Sequence, residues 1–301
     1  MTEQSNYQIL LYYKFVNIPD AEQYAADHLA FCKELQLKGR ILIADEGING
    51  TVSGTLEQTE QYMRDMHANP LFADMVFKVD PSEGHAFQKI FVRYKKELVT
   101  LRYEEPLDPN ALSGHRLKPK EFHDYLLRDD VIVLDGRNDY EYDLGHFRNA
   151  IRPDVETFKE FPQWIREHMD DFKDKTVLTY CTGGIRCEKL TGVLLNEGFK
   201  DVYQLDGGIV TYGKDEEVKG RLFDGKCYVF DERISVPINR TDEDIVVGKC
   251  YHCHKPADHY INCGDDTCHR QHIVCEECAE SHEGFCSPEC QEHEMQRITQ
   301  G

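Results

Sequence analysis

Residues Tyr180 to Lys189 read YCTGGIRCEK, and they follow the β-branched run TVLTY. The run predicts a buried strand that delivers Cys181 to its carboxyl end. Thr182, Gly183, Gly184 and Ile185 then form a short loop, and a helix starts at about Arg186. Glycine permits the backbone angles that turn successive amide N–H groups inward. The first turn of the helix adds its positive dipole end. Both features favour a sulfur anion, so Cys181 is the candidate nucleophile, with a lowered pKa. Arg186 adds a fixed positive charge. The bland alternative is an inert cysteine in a glycine turn. Cys187 falls on the apolar face of the helix and packs as core there; the other reading makes it a resolving thiol for a modified Cys181.

Eight of the twelve cysteines fall between Cys250 and Cys290. They come as short pairs: Cys250 with Cys253, Cys263 with Cys268, Cys275 with Cys278, and Cys286 with Cys290. Each pair can offer two thiolates from one knuckle to a tetrahedral ion, which predicts two structural zinc sites. The favoured pairing is interleaved: Cys250, Cys253, Cys275 and Cys278 at one site, and the other four at the second. Sequential pairing is the rival. His252, His254, His269 and His272 either replace a cysteine or flank the sites. Metal-free thiols or disulfides are the remaining alternative.

Three regions must position these groups. Residues 1–103 alternate strand-like and helix-like segments. YQILLYYKFV reads as a strand, and Asp20 with Gln23 reads as the capping box of a helix that stops at Gly39. Tyr24, His28, Cys32 and Leu35 share one face of it, which makes Cys32 a core residue. RILIADEGINGTVSG reads as a strand running into glycine turns, either a phosphate cradle or a hairpin. Thr55 with Gln58 opens a second helix, and MVFKV and QKIFVRYKKELVTL are further strands. The order predicts a ferredoxin-like (acylphosphatase-like) α+β sandwich with an extra strand.

Residues 104–114, EEPLDPNALSG, read as a linker. Residues 115–224 alternate strand and helix, which predicts a parallel sheet covered on both faces. One helical segment there, ETFKEFPQWIREHM, reads as interrupted by Pro162. Residues 225–301 hold too few aliphatic side chains for a core of that size, a shortage that bound zinc would offset.

Composition narrows the function classes. The formal net charge is −20, from 35 basic and 55 acidic residues, which argues against non-specific nucleic-acid binding. A local basic stretch, KIFVRYKKELVTLR, still offers Lys89, Arg93, Lys95, Lys96 and Arg102 as candidate RNA contacts; a solvated strand edge is the plain alternative. No apolar run approaches the ~20 residues of a membrane helix, and the N-terminus lacks a signal-peptide pattern. The expectation is a cytoplasmic protein without membrane contact. No flavin or dinucleotide fingerprint is present.

Cys181 to Arg186 is a Cys-x4-Arg loop, one residue shorter than the Cys-x5-Arg of cysteine phosphatases. It resembles the rhodanese loop, which carries a persulfide. VIVLDGRNDYEYDLGHFRNAI is similar to the rhodanese strand-turn segment, with Asn149 where many members have glycine. The resemblance implies that Asp135, Arg137 and His146 are mainly scaffold and Cys181 the nucleophile. ADEGINGTVSG, DGRNDYEYDLGHF, CTGGIRCEK, YQLDGGI and GKCYVFDERISVPI, followed by the cysteine pairs, occur in that order. This combination resembles the bacterial oxygen-dependent tRNA uridine hydroxylases that carry a rhodanese domain. It implies 5-hydroxylation of the wobble uridine of certain tRNAs, with molecular oxygen as co-substrate, tRNA as partner and Cys181 as active residue. Cys181 could add to the uracil ring or act in an oxidised or persulfidated form. The rival activity is plain sulfur transfer from a Cys181 persulfide, and the non-enzymatic alternative is a zinc-bearing binding module.

Overall fold

The computed structural model describes residues 5–300. Seven elements form the first unit: β1 (Tyr7–Phe15), α1 (Ala21–Glu34), β2 (Lys38–Ala44), β3 (Gly47–Thr55), α2 (Leu56–Ala68), β4 (Lys78–Ser82) and β5 (Ile90–Tyr94). The sheet order is β4-β1-β3-β2-β5, with β5 parallel to β2 and the other neighbours antiparallel. Strand side chains alternate between faces. Leu10, Tyr12, Ile41, Ile43, Ile48 and Val52 therefore meet Ala25, Cys32, Tyr62 and Met66 of the two helices in one core. This is the acylphosphatase-like sandwich with an added fifth strand. Its other face looks toward the second unit.

Several local expectations change. Asp20 does precede α1, but it has left-handed backbone angles and no side-chain cap bond. The helix ends at Glu34, and Gly39 lies inside β2. A Cβ on Gly39 would stand 2.3 Å from the Thr51 carbonyl oxygen, so close strand approach fixes that glycine. The glycine run is mostly strand: β3 is the central partner of β1 and β2, and the turn is confined to Asp45 and Glu46. Gly50 makes room for Tyr12, whose hydroxyl a Cβ would meet at 2.4 Å. The Thr55–Gln58 capping box is present. MVFKV becomes strand only from Lys78, and the segment from Gln88 only over Ile90–Tyr94.

The second unit comprises β6 (His115–Leu117), α3 (Pro119–Leu126), β7 (Val131–Asp135), α4 (Asp139–Leu144), β8 (Gly145–Phe147), α5 (Phe161–His168), β9 (Thr176–Tyr180), α6 (Ile185–Asn196), β10 (Asp201–Leu205) and α7 (Gly208–Lys214). Strands β6-β10-β9-β7 make a parallel sheet. Val177 of β9 packs with α5 and α6, while Leu178 packs with Phe122, Ile209 and Tyr212 on the opposite face. Pro162 does not interrupt α5; it sits in the first turn, where a missing N–H costs nothing.

Helix α6 is buried almost all round, including Glu188 and Lys189. One side rests on the sheet. The other takes contacts from residues before 115. Lys189 bonds Glu46 at 2.8 Å, and Tyr13 bonds Glu188 at 2.8 Å. The segment 104–114 lies along the same helix. A Cβ on Gly192 would meet Leu107 at 2.6 Å, and the Gly114 N–H donates to Thr191 at 2.8 Å.

The chain then forms β11 (Phe223–Tyr228), β12 (Ser235–Pro237), β13 (His259–Asn262), β14 (Gln271–Val274), α8 (Glu276–Ser281) and α9 (Pro288–Gln300). Strand β11 pairs antiparallel with β8 of the second unit, and β13 with β14.

Candidate functional site

Strand β9 is buried along its whole length and ends at Tyr180, so Cys181 emerges at the carboxyl edge of the parallel sheet. That edge is where open α/β sheets bind ligands. The next three carbonyls are all held from outside the loop. The Ile209 N–H donates to the Cys181 oxygen at 3.0 Å, and the Val210 N–H to the Thr182 oxygen at 3.1 Å. Lys78 Nζ, from β4, donates to the Gly183 oxygen at 2.8 Å. Gly208 permits this approach, because a Cβ there would strike the Cys181 and Thr182 oxygens at 2.6 and 2.7 Å.

With the carbonyls turned out, the amides turn in. The Gly184 N–H donates to Cys181 Sγ at 3.1 Å, and Gly184 has φ of +105°. Burial alone would raise the Cys181 pKa. The Cys187 thiol, the Arg186 charge and the Cys187 and Gly184 amides outweigh it, and the value falls to about 6. This shift favours the thiolate form of Cys181 near neutral pH. Cys187 is fully buried, and its own pKa rises well above normal through burial and the adjacent Cys181.

Arg186 does not hang free beside the sulfur. Its guanidinium grips the buried Glu141 of α4 at 2.6 and 2.8 Å, and one nitrogen also reaches the Thr182 hydroxyl at 3.3 Å. Burial would raise the Glu141 pKa, but Arg186 overrides this and holds the carboxyl below its ordinary range. Glu141 lies in the run NDYEYD, and no spacing rule separates it from the acids around it.

Asp135 and Arg137 sit beneath the loop. Arg137 bonds both Asp135 oxygens at 2.9 and 2.6 Å and the Gly145 carbonyl at 2.7 Å. The Tyr180 hydroxyl donates to Asp135 at 2.7 Å, tying this pair to the strand that carries Cys181. His146 stacks on Tyr142, with ring centroids 3.8 Å apart, and bonds its carbonyl at 2.8 Å.

A cavity of about 270 Å3 opens over Cys181. Its floor is the loop from Cys181 to Arg186, and its roof is the helix-free face of the first sheet, including Tyr13, Arg40, Asn49 and Thr51. Phe230 closes one side, 5.9 Å from the Arg186 guanidinium carbon. This roof was invisible in the sequence, because it depends on how one sheet docks on another domain. Lys89, Arg93, Lys95, Lys96 and Arg102 are all exposed, and their side chains have no ion pair among the described residues.

The eight C-terminal cysteines form two groups, Cys250, Cys253, Cys275 and Cys278, and Cys263, Cys268, Cys286 and Cys290. In each, the four Sγ atoms lie within 4.8 Å of one another. The Cys253–Cys275 sulfurs are 3.7 Å apart, and Cys286 is 3.6 Å from both Cys268 and Cys290. Thiolates ~2.3 Å from a tetrahedral ion are spaced by about 3.75 Å, whereas a disulfide needs ~2.05 Å. Each group can therefore hold one metal ion, and the geometry is the interleaved one. His252 and His272 flank the first group without joining it; the His252 Nε2 and both His272 nitrogens are buried without hydrogen-bond partners among the described residues.

Three family models match the chain. Residues 7–98 match a UPF0176 acylphosphatase-like domain, residues 118–215 a rhodanese-like domain, and residues 224–291 a rhodanese C-terminal region. A protein of Bacillus velezensis named tRNA uridine(34) hydroxylase is 58% identical over 97% of this chain and 90% of its own length. One of Bacillus licheniformis with the same name is 59% identical over 96% and 90%. One of Staphylococcus aureus, again so named, is 57% identical over 98% and 92%. No described helix is long and apolar enough to cross a membrane. The likeness runs through the sandwich, the Cys181 loop and both cysteine groups, and the chain belongs to the tRNA uridine(34) hydroxylase family.

Proposed function

We propose that this protein hydroxylates carbon 5 of the wobble uridine in tRNA, with Cys181 as the working sulfur. The observation that carries the reading is the placement of Cys181, its sulfur met by the Gly184 amide, in a cavity roofed by a second domain. A base entering that cavity meets the sulfur on one side and polar side chains on the other. Addition of the thiolate to carbon 6 of uracil would enrich carbon 5 in electrons, the carbon that takes oxygen; loss of the carbon 5 proton then breaks the carbon 6–sulfur bond, restores the ring double bond and returns the thiolate. With molecular oxygen as co-substrate, the second oxygen atom leaves as water. That step takes two electrons and two protons from a reductant outside this chain.

We assign residues 1–103 to substrate contact, 104–114 to the connection, 115–224 to the chemistry and 225–301 to metal-held support. Thr182 to Ile185 cradle the sulfur, and Arg186 fixes its charge. Asp135, Arg137 and His146 serve as scaffold. Zinc is the metal we assign to both cysteine groups, because all-thiolate tetrahedral sites suit it and fill its coordination. Lys89, Arg93, Lys95, Lys96 and Arg102 are candidate tRNA contacts. The working compartment is the cytoplasm.

The test is mass spectrometry of tRNA nucleosides from cells with the protein, without it, and with Cys181→Ser. Loss of 5-hydroxyuridine in the second and third supports the reading. Its full retention with Cys181→Ser would overturn the role of the sulfur. Sulfur transfer is the second reading, because an acidic thiol in a Cys-x4-Arg loop serves a persulfide equally well. Fast thiosulfate turnover without tRNA would favour it.

A further inference from the structure

The register of the first sheet draws two rows of side chains across its helix-free face. One is Leu11, Thr51, Arg40 and Phe91, on β1, β3, β2 and β5 in turn. The other is Tyr13, Asn49, Leu42 and Arg93. Residues paired across strands share a face, and strands lie ~4.8 Å apart, so each row is about 14 Å long.

Both rows begin at the Cys181 loop. A Cβ on Gly183 would meet Leu11 at 3.1 Å, and one on Gly184 would meet the Tyr13 hydroxyl at 2.9 Å. Both rows end at the edge strand β5, where Phe91 is 41% exposed and the Arg93 guanidinium stacks 5.5 Å from its ring. Neither row contains a carboxylate, although acidic residues outnumber basic ones by 55 to 35 in the chain. Among the described residues, the side chains of Arg40, Asn49, Thr51 and Arg93 have no hydrogen-bond or ion-pair partner. Asn49 and Thr51 are half-buried and line the cavity over Cys181.

We infer that these two rows are a binding track for single-stranded RNA that feeds one base into the Cys181 cavity. The inference rests on the reading that the substrate is a uridine in RNA. Asn49 and Thr51 face the inserted uracil and bond its polar edge. Arg40, at the cavity mouth, pairs with the phosphate beside it. Phe91 stacks the neighbouring base, and Arg93 holds the next phosphate. A basic groove with an aromatic platform is the arrangement that binds single strands. Within the basic stretch singled out in the sequence, this selects Phe91 and Arg93, and it adds Arg40, Asn49 and Thr51 from the neighbouring strands.

The experiment uses the full chain and a fluorescein-labelled anticodon stem-loop RNA with uridine at the wobble position. Binding is followed by anisotropy over a range of salt. Phe91→Ala is expected to weaken binding about 5- to 100-fold. Arg40→Gln and Arg93→Gln should each lower the salt slope by about 0.7. Lys200→Gln, on the rhodanese surface, should change neither quantity. Melting curves should match the wild type in every variant, and the Cys181 alkylation rate in Phe91→Ala and Arg93→Gln, which lie outside the cavity; this separates loss of RNA contact from damage to the site.

Wild-type affinity and slope in Phe91→Ala and Arg93→Gln would overturn the track while leaving hydroxylation standing. So would failure of the wild-type chain to bind this RNA. If binding responds as expected but cells lack 5-hydroxyuridine, the track stands and the hydroxylation reading falls.

Discussion

Lys78 Nζ donates to the carbonyl oxygen of Gly183 at 2.8 Å, and the Gly184 N–H of the same peptide unit donates to Cys181 Sγ at 3.1 Å. A peptide group is planar, with its C=O and N–H antiparallel. Holding the oxygen on one side therefore aims the N–H at the sulfur on the other. A charged donor on the oxygen also polarises the N–H, since linked hydrogen bonds strengthen one another. Lys78 belongs to the first sheet, so docking of that domain helps to aim one of the amides that favour the Cys181 thiolate in the second.

Replacing Lys78 by Met should raise the pH midpoint of Cys181 alkylation from about 6 toward the ~8.5 of a free thiol. Lys78→Arg should restore part of the shift. Burial already brings the Lys78 pKa down to about 8, so the bridge should also weaken on the alkaline side of that value. An unchanged alkylation curve in Lys78→Met would remove the lysine from this role.

The reactivity of Cys181 should follow its thiolate fraction. Alkylation at pH 5 should run about tenfold slower than at pH 7, because protonation of a thiol near pKa 6 leaves about a tenth as thiolate. Cys187 has its pKa pushed the other way and is a poor attacking thiol. Peroxide should therefore oxidise Cys181 without forming a Cys181–Cys187 disulfide, which mass spectrometry of non-reduced digests will read.

Glu141→Gln should cost about 3–5 kcal/mol of stability, the usual loss when one partner of a buried pair is removed. The pair is buried and bidentate, with Arg186 left uncompensated in the variant. The pH dependence has a definite sign. The folded pKa of Glu141 lies below the unfolded one. Its contribution is therefore present above about pH 4.3 and disappears as pH falls through the folded value. Chemical denaturation at pH 7 and at pH 3 should show a larger difference between wild type and variant at the first pH than at the second.

Chelation should remove two metal ions per chain, and Cys253→Ser or Cys286→Ser should each remove one. The two losses should differ in reach. Cys250 and Cys278 pack in one cluster with Leu144 of the rhodanese unit, and Tyr260 bonds the Tyr140 carbonyl at 2.8 Å. Emptying that group should expose residues 139–146 to hydrogen exchange. Emptying the group of Cys263 and Cys286 should leave them protected.

The Cys181 loop and the cysteine pairs were legible because their chemistry is local: a strand end, glycines, a helix start, short Cys spacings. The capping box of Thr55 was legible for the same reason. Gly39 was misread as a helix stop, and the run from Gly47 is the hairpin rather than the phosphate cradle, with its glycines in the strand instead of the turn; a glycine required by a neighbouring strand looks the same in sequence as one required by a turn. Glu141, Lys78 and Asn49 were missed for a different reason. Each reaches the site from an element distant in the chain, Glu141 from α4 and Lys78 and Asn49 from the first sheet, and only the packing of those elements against the loop gives them a role. The burial of Glu188 and Lys189 on α6 has the same origin, since Tyr13 and Glu46 of the first domain cover them.

That cover makes the central helix common property. Lys189 finds Glu46 at 2.8 Å, the Val99 carbonyl at 3.4 Å and Glu97 at 3.7 Å, all from the first hundred residues. A rhodanese segment cut loose from this chain would present an ammonium stripped of every one of those acceptors on a surface built to be interior. Exchanging either half for another would bury this ammonium without partners unless the incoming surface supplied acceptors of its own.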